Sequence, residues 1–424
     1  MKAFFEKLRL VFSDATLRSR ILFTLGLLVA TRILAVIPIP GIDAARLQSL
    51  FNGSQFLSLL NIFSGGGLST LSIVMLGVGP FITASIIMQL LTFMVPKMKA
   101  MYQDEGDAGR RRFAQYSRLL SVPLAVLQAF SFIVLFQRQG VLPHLSFSAF
   151  ALDILVVVAG SMLLVWIGEL ISEFGAGNGV SLIIFAGIVS RLPATIAQLQ
   201  ITFTPALLPV YIVGVVVTLI VIFGVVYITE AERPIPITYA KQARGGASST
   251  GGVSTYLPLR VNQAGVIPII FALSILLFPQ MILQFLVNSS VASVKSISAT
   301  LLALLANQWF YGIAYFLLVF LFTYFYTAVT FDPDQISTNL QKSGAFIPGV
   351  RPGAPTADYI SRILTRLTLV GALFLGLIAV LPLILRAVTG IQSLAIGGTA
   401  LLIVVSVVID LVKKVDAQVS AKEY

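Results

Sequence analysis

Apolar positions in this chain run on for whole stretches; they neither alternate nor return only at every third or fourth residue. Ten such stretches follow one another, at 21–37, 73–95, 119–136, 154–170, 180–196, 207–228, 266–286, 311–329, 367–385 and 391–412. Each has about the 17–25 residues a helix needs to cross a hydrocarbon core of about 30 Å. In lipid every backbone N–H and C=O must be satisfied within the segment, so the pattern predicts an all-α integral membrane protein of ten transmembrane helices. The second and fifth stretches are interrupted, one by Gly77, Gly79 and Pro80 near its start, the other by Arg191. The first follows a basic N-terminus but runs into Ile37-Pro38-Ile39-Pro40-Gly41 without a small-residue cleavage site, and reads as a retained span.

Composition fits that reading. Of 424 residues, 57% are hydrophobic and only 11% charged, against roughly 25% charged in a soluble protein, and the mean hydropathy is +0.97. The 28 Lys and Arg exceed the 17 Asp and Glu, for a net charge of +11. With ten spans, most of these cations fall on the face that carries both termini, among them Lys97, Lys99, Arg110, Arg111, Arg112, Arg118, Arg233, Lys241, Arg260, Arg362, Arg366, Lys413 and Lys414. Cytoplasmic loops carry the excess of Lys and Arg, so both termini are expected in the cytoplasm.

Two long connections lie on that face, about 229–265 and 330–366. They either dock a large soluble partner or only enforce topology, and the residues alone leave both readings open. The first has a Gly/Ser-rich centre at 245–252, read as a flexible tip. The second is punctuated by Gly344, Pro348, Gly349, Pro352, Gly353 and Pro355, read as a shaped loop. A short internal match also appears: Gly77-Val78-Gly79-Pro80-Phe81-Ile82 and Gly265-Val266-Ile267-Pro268-Ile269-Ile270 share Gly, Val, Pro and Ile. They open corresponding spans of two five-span halves, 1–205 and 206–424. Inverted halves commonly place a transport path at their interface.

Much chemistry is missing from the chain. The absence of cysteine removes disulfides, thiolate metal sites and cysteine nucleophiles, and a single histidine, His144, removes any poly-histidine metal site. No Gly-x-x-x-x-Gly-Lys-Ser/Thr loop occurs, so ATP or GTP use is expected only in a partner. Gly175-Ala176-Gly177-Asn178-Gly179 joins two spans and reads as a tight turn. Asp153, Glu169, Glu173 and Asp410 sit at span ends, which disfavours the alternative of an ion- or solute-coupled secondary transporter. A membrane enzyme finds no convergent acid, base, nucleophile or metal set, so no catalytic, metal or cofactor residues are assigned. Arg32 is close enough to the end of its span to snorkel, and Arg191 is placed near the outer boundary. Thr83, Gln89, Gln128 and Asn262 are polar neutral residues in or beside spans, either packing glue or contacts broken when helices part.

Several motifs, taken in order, carry a resemblance. They are Ile37-Pro38-Ile39-Pro40-Gly41-Ile42-Asp43, Asn61-Ile62-Phe63-Ser64-Gly65-Gly66, Gly177-Asn178-Gly179 leading to Ile184-Phe185-Ala186-Gly187-Ile188, Ala264-Gly265-Val266-Ile267-Pro268, and the run from Lys342 to Gly353. On these the whole chain resembles the SecY/Sec61 family of protein-translocation channels. The resemblance implies two five-span halves around an hourglass pore in the bacterial cytoplasmic membrane, passing nascent polypeptides across and signal peptides sideways into lipid. It implies a plug helix at about 61–71, with Asn61, Phe63, Ser64, Gly65, Gly66, Leu68 and Leu71. The implied pore ring is Val78, Ile82, Val180, Ile184, Ile267, Ile270 and Ile403, and the implied lateral gate is Thr83, Gln128 and Asn262. Arg351 would engage the SecA motor or the ribosome. The first loop's tip departs from the family pattern, since Arg244 is followed by Gly, Ala, Ser and Thr in place of a basic tip. Implied partners are SecE as a clamp, SecG at the periphery, SecA, the ribosome and membrane lipids.

Overall fold

The computed structural model describes residues 14–40, 47, 61, 64–103, 105–143, 145–201, 205, 208–239, 254–287, 291–389 and 397–423. The chain divides into two compact units, one of Met1–Leu208 with Ser274–Leu304 and Val407–Tyr424, the other of Pro209–Leu273 with Leu305–Ser406.

In the first unit, α1 (Ala15–Val36) starts at Asp14, whose carboxylate accepts the Thr16 N–H at 2.8 Å. Leu22, Leu25, Val29 and Ile33 line an exposed apolar flank of α1, as expected of a surface wetted by lipid. Next come α2 (Gly79–Met94), α3 (Pro96–Gln103) and α4 (Gly106–Arg138). Pro96 cannot continue the hydrogen bonding of α2, so α3 turns away from it. Both α2 and α3 pack on α4, and α4 packs on α5 (Phe147–Phe174). The short helices α6 (Gly179–Val189) and α7 (Leu192–Ile201) follow.

The glycine-rich stretch at 175–179 is the tight turn between α5 and α6. The Asn178 side chain accepts the Ser181 N–H at 3.2 Å, and the Ser172 hydroxyl accepts the Gly179 N–H at 2.8 Å. A Cβ on Gly179 would collide with the Gly168 carbonyl, so both helices approach at backbone distance. The fifth apolar stretch, read as one span, is instead broken at Ser190–Arg191. Pro193 supplies the reason, because it has no N–H to continue the helix.

The second unit holds α8 (Leu208–Glu230) and the strands β1 (Glu232–Tyr239) and β2 (Ser254–Arg260). The helix α9 (Ile267–Leu286) continues from this unit into the first, which also takes most of α10 (Ala292–Ala306). Then follow α11 (Gln308–Thr330), α12 (Pro333–Lys342), β3 (Ala345–Phe346) and α13 (Ala354–Thr389), while α14 (Gly397–Glu423) belongs to this unit up to Ser406 and to the first from Val407. Along α11 and α13, Phe316 lies over Gly376, and Gln308 Nε2 donates to the Leu383 carbonyl at 2.8 Å.

The two long loops meet in a three-stranded antiparallel sheet of order β2-β1-β3. Pro234 stands opposite Pro258, and neither has an N–H, so they form a non-hydrogen-bonded pair. Residues of the parity of Pro234 and Pro236 turn their backbone groups away from β2, toward the edge that β3 covers only at Thr238 and Tyr239. Ile235, Ile237 and Leu259 bury the inner face against Ala345, Ile347, Ile360 and Ile363.

Among the described residues, six helices are long and apolar enough to cross a membrane, or seven if α2 and α3 form one bent span. The apolar stretches Gly179–Ala194, which contains the break at Ser190–Arg191, Ile267–Leu276 within α9, and Ala292–Ala306 are shorter. The helix α10 was not expected; its apolar residues Val294, Ile297, Leu301, Leu304 and Leu305 recur at helical spacing within a segment too short to be read as a span.

Candidate functional site

The end of α1 and the segment ahead of α2 lie side by side. Pro38 bridges Ser72, the Ile39 N–H donates to the Leu71 carbonyl at 2.9 Å, and the Ile73 N–H donates to the Ile37 carbonyl at 3.0 Å. The Thr70 hydroxyl donates to the Ala35 carbonyl at 2.9 Å.

Residues 64–78 are not helical but form successive turns. Gly65 and Gly66 have φ of 63° and 93°, a left-handed backbone that a right-handed helix cannot use. Among the described residues of the expected plug stretch, 64–71 is therefore turn and Asn61 is helical, while Ile62 and Phe63 lie outside the described residues. The segment closes on itself: Asn61 Oδ1 accepts the Ser69 N–H at 3.0 Å, and the Ser64 hydroxyl accepts the Leu68 N–H at 3.0 Å. Leu68, Leu71 and Met75 are buried against Phe132, Ile133 and Phe136 of α4 and Val157 and Val158 of α5.

Two arginines grip these turns. Arg32 of α1 donates through Nη1 to the Gly65 carbonyl at 2.7 Å and to the Ser190 hydroxyl at 2.9 Å. Arg191, between α6 and α7, donates through Nη2 to the Ser69 hydroxyl at 2.7 Å. A Cβ on Gly187 of α6 would collide with the Gly65 Cα, so backbone meets backbone there. In the sequence both arginines stand near span ends, with nothing beside them to mark a shared target. The partners are 33 and 122 positions away, beyond any local pattern.

Of the seven expected ring residues, Val78, Ile82, Val180 and Ile184 are in the first unit, and Ile267, Ile270 and Ile403 in the second. Val78 precedes α2 and is fully buried, Ile82 follows one turn later, and Ile184 is buried in α6. Val180 sits against Gly168 of α5. Ile267 and Ile270 occupy the first turn of α9, and Ile403 is buried in α14. The internal match is reproduced in backbone form. Gly77 and Gly265 are both left-handed, the Ile82 N–H donates to the Val78 carbonyl at 3.1 Å, and the Ile270 N–H donates to the Val266 carbonyl at 3.3 Å.

Among the expected gate residues, Thr83 of α2 donates its hydroxyl to the Gly79 carbonyl of its own helix at 3.1 Å. Gln128 is partly buried on α4, which packs against α2. Asn262, in the second unit, is buried, and its Oδ1 has no hydrogen-bond partner among the described residues. Gly371 of α13 seats the chain just before it, touching the Val261 carbonyl.

Arg351 is exposed after β3, at a turn shaped by the left-handed Gly349 and Gly353. Its carbonyl accepts the Thr356 hydroxyl at 2.8 Å, and the Gly353 carbonyl accepts the Ser337 hydroxyl at 2.7 Å. The backbone is thereby fixed and the guanidinium presented to solvent. Arg244 and the Gly/Ser-rich tip lie outside the described residues. Among the described residues, no group of three or more acidic or histidine side chains is placed to hold a metal ion.

A family model described as SecY matches residues 72–412. The protein translocase subunit SecY of Mycobacterium tuberculosis is 42% identical over 100% of this chain and 99% of its own length. That of Staphylococcus aureus is 40% identical over 97% of each chain. Among solved structures, one of a SecY whose plug domain is described as stabilising the closed state and maintaining a membrane seal superposes with a TM-score of 0.65. It is 21% identical to this chain and covers 94% of it and 92% of its own chain.

Proposed function

Because the chain belongs to the SecY family, we propose that it is a protein-conducting channel that passes unfolded secretory polypeptides across the bacterial cytoplasmic membrane and releases membrane segments sideways into lipid. Such a channel moves its substrate without making or breaking covalent bonds, so the chain is not an enzyme. The observation that carries this reading is the extent of the similarity, 42% identity to a translocase subunit over the whole chain.

The finer assignments follow from it. Ten spans in two halves, 1–205 and 206–424, enclose the pore, with both termini in the cytoplasm. The matched starts of α2 and α9 support the two-half arrangement. Val78, Ile82, Val180, Ile184, Ile267, Ile270 and Ile403 form a ring of branched aliphatic side chains. In a narrow neck such a ring is dry, so ions lose hydration there without compensation, while a polypeptide can push the side chains aside. Residues 61–71 form the plug, and Thr83, Gln128 and Asn262 the polar seam of the lateral gate.

Arg351 engages SecA or the ribosome, because a guanidinium offers paired hydrogen bonds to carboxylate or phosphate. Its exposure beside the β2-β1-β3 sheet fits that task. SecA engagement is favoured over ribosome docking through Arg244, since the tip around Arg244 has little further basic charge. SecE and SecG complete the complex.

The chain has no cysteine, so one introduced thiol is unique. With Ile82→Cys or Ile270→Cys, a precursor arrested in transit and carrying a thiol in its translocating segment should form a disulfide with the ring. A thiol at Phe223, exposed on α8, should not. Equal trapping at all three sites would remove the pore assignment.

A further inference from the structure

We propose that Arg32 and Arg191 are positioning residues that clip the 64–71 segment in its resting place, so that their guanidinium hydrogen bonds must break, along with its other contacts, before it leaves. The proposal rests on reading that segment as the plug.

The grips come from two separate elements and land four residues apart, Arg32 on the Gly65 carbonyl and Arg191 on the Ser69 hydroxyl. Ser190 ties them together, since its hydroxyl accepts from Arg32 and donates to the Gly187 carbonyl at 2.9 Å. At the first grip the segment sits directly on α6, because Gly65 meets Gly187 backbone to backbone. The helix break ahead of Pro193 places Arg191 in a turn at the end of α6 instead of within a continuous helix.

The acceptors explain how such a clip can be both firm and releasable. A hydrogen bond from a charged donor is stronger than one between neutral groups. The Gly65 carbonyl and the Ser69 hydroxyl are nevertheless neutral acceptors, so parting from either of them separates no pair of opposite charges. An extended polypeptide entering the pore carries a row of backbone carbonyls chemically equivalent to that of Gly65. It can take over the guanidinium hydrogen bonds as the segment departs, which lowers the cost of opening only when substrate is present.

The test uses Leu68→Cys, a unique thiol at a position buried in the resting segment. Its rate of maleimide modification is read in the full complex in vesicles, at rest and with an arrested precursor. Arg191→Gln and Ser69→Ala should each raise the resting rate about tenfold, the loss of one charge-assisted hydrogen bond. The two together should be slower than the product of their single effects, because both remove the Arg191–Ser69 bond while Ser69→Ala also removes the bond from the Ser69 hydroxyl to the Gly66 carbonyl, and Arg191→Lys should restore part of the protection. Thermal unfolding should stay within a few degrees of the parent, which separates loss of the clip from general loosening. Resting rates equal to the parent in both single variants, while precursor still raises the rate, would overturn the clip and leave the plug reading standing. A rate that precursor does not change would overturn the plug reading itself.

Discussion

Gly77 and Gly265 hold the same left-handed backbone, φ of 59° and 61°, each followed by a valine whose carbonyl accepts the N–H of an isoleucine four residues on. Each glycine sets the angle at which a helix, α2 or α9, leaves the chain before it. An L side chain there should cost about 1–2 kcal/mol from the backbone alone. Gly265→Ala shows this cleanly, since nothing lies within 4 Å of the added methyl. Thermal unfolding of the purified variants should show a loss of that size for both, and unchanged stability would mean the turn has another conformation.

The buried Asn262 Oδ1, without a partner among the described residues, is a cost to the resting state, about 1–3 kcal/mol for a polar group left unsatisfied. Replacing Asn262, Thr83 and Gln128 by Leu removes that cost and leaves an apolar seam, so the closed gate should be favoured. Export of precursors with weakly hydrophobic signal sequences should fall, and strongly hydrophobic ones should be little affected. Unchanged or improved export of the weak signals would contradict the gate assignment.

Arg351 and Ile235 separate contact from scaffold. Arg351 is exposed, so Arg351→Glu should leave the sheet intact and abolish SecA-driven export while membrane insertion continues. Ile235 of β1 is buried on the inner face of the sheet, and Ile235→Ala should cost about 2–5 kcal/mol by opening a cavity there. Hydrogen exchange should then speed up along residues 232–239 and 254–260, with export falling as a consequence. Faster exchange in Arg351→Glu, or full export by it, would defeat the contact role.

The long spans were legible because lipid solvation writes itself as unbroken apolar sequence, and α1, α4, α5, α8, α11 and α13 cover six of the ten stretches. The β1–β2 hairpin was not. Ile235 and Ile237 alternate as a strand requires, but Pro234, Pro236 and Pro258 argue against one until the register shows Pro234 facing Pro258 in a pair that needs no N–H. The break at Ser190–Arg191 had a signal in Pro193, outweighed by the apolar run around it. The Arg32 and Arg191 grips had none, since they depend on which turns tertiary packing brings to each guanidinium.

The most direct test of the channel reading is export of a secretory precursor into vesicles holding this chain with SecE and SecG, with and without SecA and ATP. Protease-protected precursor that accumulates only when SecA and ATP are both present is the expected result. No protected precursor under conditions where a matched SecY complex is active would contradict the account.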